Sequence, residues 1–104
     1  MLGYLEETVL LLVVKMESEA YAYAVSREYE QQLGKPISIP AIHTVLTRLE
    51  KKGLITSEML GATAERGGRR KRVFNITAEG MEVLSALQAS RMKLWNQIPG
   101  LNTN

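Results

Sequence analysis

Apolar positions along the chain fall into four runs with helical spacing and two with strand spacing. Leu5, Val9, Leu12, Val13 and Met16 recur at the interval of one helix face, predicting a first helix over about 5–16. Leu10, Leu11 and Val14 make the rest of that helix apolar too, so it should be covered on more than one side. The second cover is either another subunit or the remainder of a small core; the pattern allows both. Ala22, Val25, Tyr29 and Leu33 line one face of a second helix over about 21–33, with Glu28, Glu30, Gln31 and Gln32 on its wet side. Gly34 offers a left-handed cap and Pro36 opposes continuation. A third helix begins at Ser38, a good cap for free backbone donors, with Pro40 tolerable in its first turn. Its buried face is Ile42, Val45, Leu46 and Leu49, and Gly53 ends it. His43, Thr44, Thr47, Arg48 and Lys51 are left facing outward.

Two short strands follow, over 54–60 and 72–76, with Phe74 and Ile76 on one face. Two strands alone are unstable, so they must pack on the helices. Between them runs "GATAERGGRRK", the tip of a hairpin. Thr77 caps a last helix over about 78–97, on which Val83, Leu84, Leu87, Leu94 and Trp95 form an apolar stripe. Pro99 and Gly100 stop it ahead of the tail "LNTN". Helix, helix, helix, strand, hairpin tip, strand, helix is the order of a winged helix-turn-helix. The fold expected is mainly α with a small β-hairpin: a winged helix-turn-helix over 1–77, then a C-terminal dimerisation helix and short tail over 78–104.

Charge sharpens this outline. The net charge is only +2. Residues 1–34 nevertheless balance at −4, residues 35–72 at +6 and residues 73–104 at zero. Five of the positive charges fall between Arg66 and Arg72, around Gly67 and Gly68. A basic hairpin beside a polar, basic helix face is an electrostatic footprint for a polyanion, and Thr and Arg can bond to base edges or phosphates in a major groove. The plainer reading is a solvated surface.

Composition excludes other chemistry. All eleven acidic residues are Glu, there is no Cys, and His43 is the single histidine. No Ser-His-Asp type of nucleophile set can be assembled, and neither can a His/Cys/Asp metal site, so no enzyme, metal or cofactor is expected. The pairs Glu6/Glu7 and Glu28/Glu30 read as solvated helix residues. The apolar run 9–14 is too short to span a bilayer and no basic leader precedes it, so a cytoplasmic location is expected.

Four stretches resemble the PadR family of bacterial transcriptional regulators: "GYLEETVLLLVV" (3–14), "AYAYAVSREYEQQLGKPISIPAIHTVLTRLEKKGLI" (20–55), "ERGGRRKRVFNITAEG" (65–80) and the closing helix. "LTRLEKKGLI" occurs in several winged-helix families; joined to "GGRRKRVFNITAEG" it is much closer to PadR alone. With no larger effector domain behind the last helix, the chain is similar to the short PadR subgroup. The resemblance implies a dimeric, sequence-specific DNA-binding regulator, usually a repressor, on an inverted-repeat operator. It makes 39–52 the recognition helix, with Ser38, Pro40, His43, Thr44, Thr47 and Arg48 at the DNA. Arg66, Gly67, Gly68, Arg69, Arg70 and Lys71 become the wing, and Tyr23 resembles a tyrosine that faces the DNA backbone. Dimerisation falls to the first and last helices, through Leu5, Val9, Leu12, Leu84, Leu87, Leu94 and Trp95. Some members hold flat hydrophobic effectors between their C-terminal helices, which gives Trp95 a second possible role beside that of interface anchor. Where many relatives carry Tyr, this chain carries His43, either a base reader or an exposed phosphate donor; Ala22 stands where Gly is commoner. The rival expectation is a winged-helix protein-interaction module with no operator of its own, whose basic wing binds an acidic partner.

Overall fold

The computed structural model describes residues 2–61 and 70–101. Its elements are α1 (Tyr4–Met16), a 3-10 turn (Glu17–Glu19), α2 (Ala22–Leu33), α3 (Ile39–Lys51), β1 (Ile55–Leu60), β2 (Lys71–Ile76) and α4 (Ala78–Trp95). This is the mainly helical winged helix-turn-helix with a two-stranded hairpin and a C-terminal helix that the residue pattern predicts. Boundaries differ by a residue or two: β2 starts at Lys71 and α4 ends at Trp95.

α1 is the central beam of the core. Val9, Leu10, Leu12 and Val13 are buried, together with Val25 of α2, Ile42, Val45, Leu46 and Leu49 of α3, and Phe74 of β2. Each such side chain contributes roughly 1.5–3 kcal/mol of burial. Cover for α1 therefore comes largely from within the chain, while Leu11, 52% exposed, and the half-buried Val14 are left on its outer side.

The expectation that Glu6, Glu7 and Glu28 are merely solvated is corrected by their partners. Glu6 accepts two bonds from Lys52 Nζ, at 3.0 and 2.9 Å, and one from the Gly3 N–H at 3.0 Å. The start of α1 is thereby tied to the end of α3. Glu7 is buried and ion-paired with Arg91 of α4, whose Nη2 donates at 2.9 Å. Glu28 is paired with Lys15 at 2.8 Å, joining α2 to the last turn of α1. Glu30 alone of the four is exposed as expected.

The turn between α2 and α3 is closed from both ends. Gly34 takes the left-handed conformation, φ 72°, and its N–H reaches the Glu30 carbonyl at 2.9 Å. Ser26, buried on α2, donates to the Ile37 carbonyl at 2.8 Å. Ser38 then caps α3 by accepting from the Ala41 N–H at 3.1 Å, with Pro40 in the first turn.

β1 and β2 pair antiparallel, from Ile55 opposite Ile76 to Leu60 opposite Lys71. Phe74 and Ile76 share the core side, as alternation predicts. Val73 is buried as well, which the alternation did not suggest. The Phe74 N–H donates to the Ala20 carbonyl at 2.8 Å, pinning the hairpin to the segment ahead of α2. Thr77 caps α4 through the Gly80 N–H at 3.0 Å while its hydroxyl donates to the Gly53 carbonyl at 2.8 Å.

α4 begins inside the domain and ends outside it. Gly80 and Leu84 are buried, Val83 and Leu87 half-buried, and every described residue from Gln88 onward is exposed. The projecting helix explains a radius of gyration of 16.0 Å, against about 13 Å for a compact chain of this length.

Candidate nucleic-acid interface

The amphipathic pattern of α3 decides which side chains are free. Ile42, Val45, Leu46 and Leu49 hold one side against the core, which turns His43, Thr44 and Arg48 into solvent and leaves Thr47 half-buried. The Thr44 hydroxyl donates back to the Pro40 carbonyl at 3.1 Å, so what it offers outward is its acceptor capacity and its methyl group. The Ser38 oxygen accepts within its own cap, which leaves its O–H proton to donate elsewhere. Pro40 is exposed and presents no N–H. One turn before His43 on the same side stands Ile39, 43% exposed, an apolar residue that the polar–apolar pattern did not single out.

The root of the hairpin carries the second group of cations. Arg70 and Lys71 are exposed. Arg66, Gly67, Gly68 and Arg69, the centre of the expected wing, lie outside the described residues. Successive strand residues point to opposite faces, and the root uses this. Arg72 Nη1 donates to the Ser57 hydroxyl at 3.0 Å, and that hydroxyl donates to Glu50 of α3 at 2.7 Å. Lys71 turns the other way, its Nζ 4.3 Å from the centroid of the Tyr21 ring. Tyr21 is stacked with Tyr23, with ring centroids 6.5 Å apart, and Tyr23 is 53% exposed. Tyr21 was legible only as the first residue of the second helix, where the structure makes it the residue ahead of α2; nothing near it in sequence signals that its partner lies fifty positions later.

The seven expected interface residues divide. Val9 and Leu12 are 0% and 6% exposed inside the chain's own core, which leaves them no surface for a partner. Leu5 is half-buried against the same core and Leu84 is at its edge. Leu87 is half-buried, and Leu94 and Trp95 are 64% and 50% exposed. The Trp95 indole N–H donates to the Leu101 carbonyl at 3.0 Å. Two residues with no place in the expected set, Leu11 and Met81, face an open apolar groove of about 520 Å³ between α1 and α4. Among the described residues no cluster of His, Cys, Asp or Glu could hold a metal ion, and no helix is long and apolar enough to cross a membrane.

Three helices, an antiparallel hairpin pinned to the segment ahead of α2, and a capped outward-facing α3 define a winged helix-turn-helix protein of the transcription-regulator class. The PadR-like transcriptional regulator family model matches residues 10–86, and the chain belongs to that family. Among solved structures it is similar to a PadR-like transcription factor from Bacteroides fragilis, at 27% identity over 88% of this chain and 84% of that one, with a TM-score of 0.76. A PadR family regulator from Eggerthella lenta is 28% identical over 96% of this chain and 88% of that one, with a TM-score of 0.68. A PadR-like regulator from Bacillus cereus shares the fold at 22% identity, covering 98% of this chain and 94% of that one, with a TM-score of 0.74. No match is found among curated proteins.

Proposed function

We propose that the protein is a homodimeric, sequence-specific DNA-binding repressor that recognises an inverted-repeat operator. The observation that carries this reading is the pairing of two exposed basic surfaces on a rigid frame. The outward side of α3 offers His43, Thr44 and Arg48, and the hairpin root offers Arg70 and Lys71. A groove-reading helix needs polar side chains that its own fold does not consume, and a backbone-gripping wing needs cations free of acidic partners. Three acidic residues of the neighbouring elements are already engaged, Glu6 by Lys52, Glu28 by Lys15 and Glu50 by Ser57, while Glu58 of β1 is exposed.

In this reading α3 enters the major groove, with Ser38, Pro40, His43, Thr44, Thr47 and Arg48 nearest the bases and phosphates. The wing, Arg66 to Lys71, grips the backbone through arginine and lysine contacts, with Gly67 and Gly68 allowing close approach. Tyr23 faces the backbone beside it. A second copy joins through α4 and the outer side of α1, where Leu11, Leu87, Leu94 and Trp95 offer apolar surface. Residues 1–77 then form the DNA-binding unit and 78–104 the joining helix and tail. The exposed Trp95 ring is suited to cover a flat hydrophobic effector between the two α4 helices.

The test is fluorescence-anisotropy titration against duplex DNA from the region upstream of the protein's own gene, with a scrambled duplex as control, at several salt concentrations. Sequence-dependent binding is expected. An Arg69→Ala/Arg70→Ala variant should bind more weakly, with a shallower dependence of log K on log salt, by about 0.9 per lost phosphate contact. Equal, weak binding to both duplexes by the unaltered protein, wherever in that region the duplex is taken, would count against an operator-specific role.

A further inference from the structure

We propose that Tyr21 is a positioning residue for DNA binding: its ring orients the Lys71 ammonium and the Tyr23 ring so that the wing root and the start of α2 meet one DNA strand as a single unit. The inference rests on the DNA-binding reading above and adds to it a residue with no charge and no place on α3.

The geometry has three parts. The Phe74 N–H bonded to the Ala20 carbonyl fixes β2 beside the residue that precedes Tyr21. Lys71 lies three positions earlier on β2, and its Nζ sits 4.3 Å from the Tyr21 ring centroid, well inside the roughly 6 Å reach of a cation–π contact. The same ring packs on Tyr23 with a centroid separation of 6.5 Å and an interplanar angle of 28°. A lysine side chain is a flexible point charge with three donors. Resting it on an aromatic face removes much of its rotamer freedom and leaves its N–H groups able to donate, so less entropy is lost when a phosphate arrives. Tyr21 has the other attributes of a support. It is half-buried, its side chain makes no cap bond to α2, and among the described residues no carboxylate is paired with Lys71. The neighbouring Arg72 is turned toward α3 through Ser57 and Glu50, so Lys71 is the cation that this strand presents on the α2 side.

The experiment is a salt-dependent binding series on a 30-bp mixed-sequence duplex, with Tyr21→Leu, Tyr21→Phe, Lys71→Gln and the Tyr21→Leu/Lys71→Gln double variant beside the unaltered protein. The single losses should each weaken binding roughly 2- to 5-fold per protomer, the scale of an exposed cation–π contact. Both should flatten the salt slope by about 0.9 per protomer, the signature of one lost phosphate contact. Tyr21→Phe keeps the ring face and should keep both affinity and slope. The double variant should match the single ones. A Tyr21→Leu variant that binds weakly with an unchanged slope, or whose loss adds in full to that of Lys71→Gln, would show a packing role only and overturn the proposal. A spectroscopic readout needs no variant to fold: the Lys71 side-chain methylene protons should resonate upfield of those of the other lysines, shifted by the Tyr21 ring, and their absence there would overturn it equally. Absence of salt-dependent binding in the unaltered protein would instead remove the DNA-binding reading, and this inference with it.

Discussion

Glu6 shows how much a single carboxylate can join. The Lys52 ammonium, first, and the Gly3 N–H, second, hold its carboxyl below the ordinary carboxylate range. A depressed folded-state pKa means that the stabilisation is present above the unfolded value and is lost as pH falls through the folded one. Glu6→Gln should therefore lower the urea midpoint at pH 7, and the gap from the unaltered protein should close only as pH falls through the depressed folded-state value, below the ordinary carboxylate range, where both chains carry a neutral side chain. A gap that stays constant down to pH 3 would place the effect in packing and not in charge. Residues whose partners lie close in sequence were legible beforehand: Ser38 and Thr77 are caps because the donors they satisfy are three positions away. Glu7 was not legible, because Arg91, its partner, stands 84 positions later. Tyr21 was hidden for the same reason, and a stretch of alternating Ala and Tyr looks like helix filler until the strand that crosses it is known.

At the scale of elements, periodicity separated the two sides of α3 because that helix has one apolar side and one polar side. It could not do so for α1, where Leu10, Leu11, Leu12, Val13 and Val14 offer no polar boundary. Choosing between core and interface there needs the positions of α2, α3 and β2. They bury Val9 and Leu12 and leave Leu11 outside. α4 poses the opposite problem. Its stripe is continuous in sequence, yet only its first turns have a chain to pack on, so Leu94 and Trp95 stay exposed. The joint between those first turns, the segment after α3 and the end of β2 is tight. A Cβ added at Gly80 would come within 2.3 Å of the Leu54 carbonyl oxygen and 2.7 Å of Ile76 Cγ1. The first obstacle is backbone and cannot rotate away. Gly80→Ala should cost about 1–3 kcal/mol, the range for overpacking, although alanine favours helix at an open site. The check is a thermal melt, in which a stability equal to or above that of the unaltered protein would show that the joint can open.

For the whole molecule the open question is what covers the outer half of α4. A helix with Met92, Leu94 and Trp95 each more than 40% exposed carries more apolar surface than a lone chain usually leaves wet. Sedimentation velocity should give a dimer at micromolar concentration. A Leu94→Asp/Trp95→Asp variant should sediment as a monomer whose hairpin and α3 remain folded by circular dichroism. An unaltered protein that sediments as a monomer would remove the joining role of α4. The close approach of Gly80 to Leu54 has a consequence for such a dimer. Leu54 stands three residues past the end of α3, its N–H bonded to the Leu49 carbonyl at 3.1 Å, so the junction bears on the angle between α3 and α4. In the proposed dimer the distance between the two α3 helices is then a ruler cut inside each chain. For that proposed dimer, an operator whose halves are one base pair too near or too far would have to be twisted to fit, and the close Gly80–Leu54 approach would pass that torsional work to the duplex.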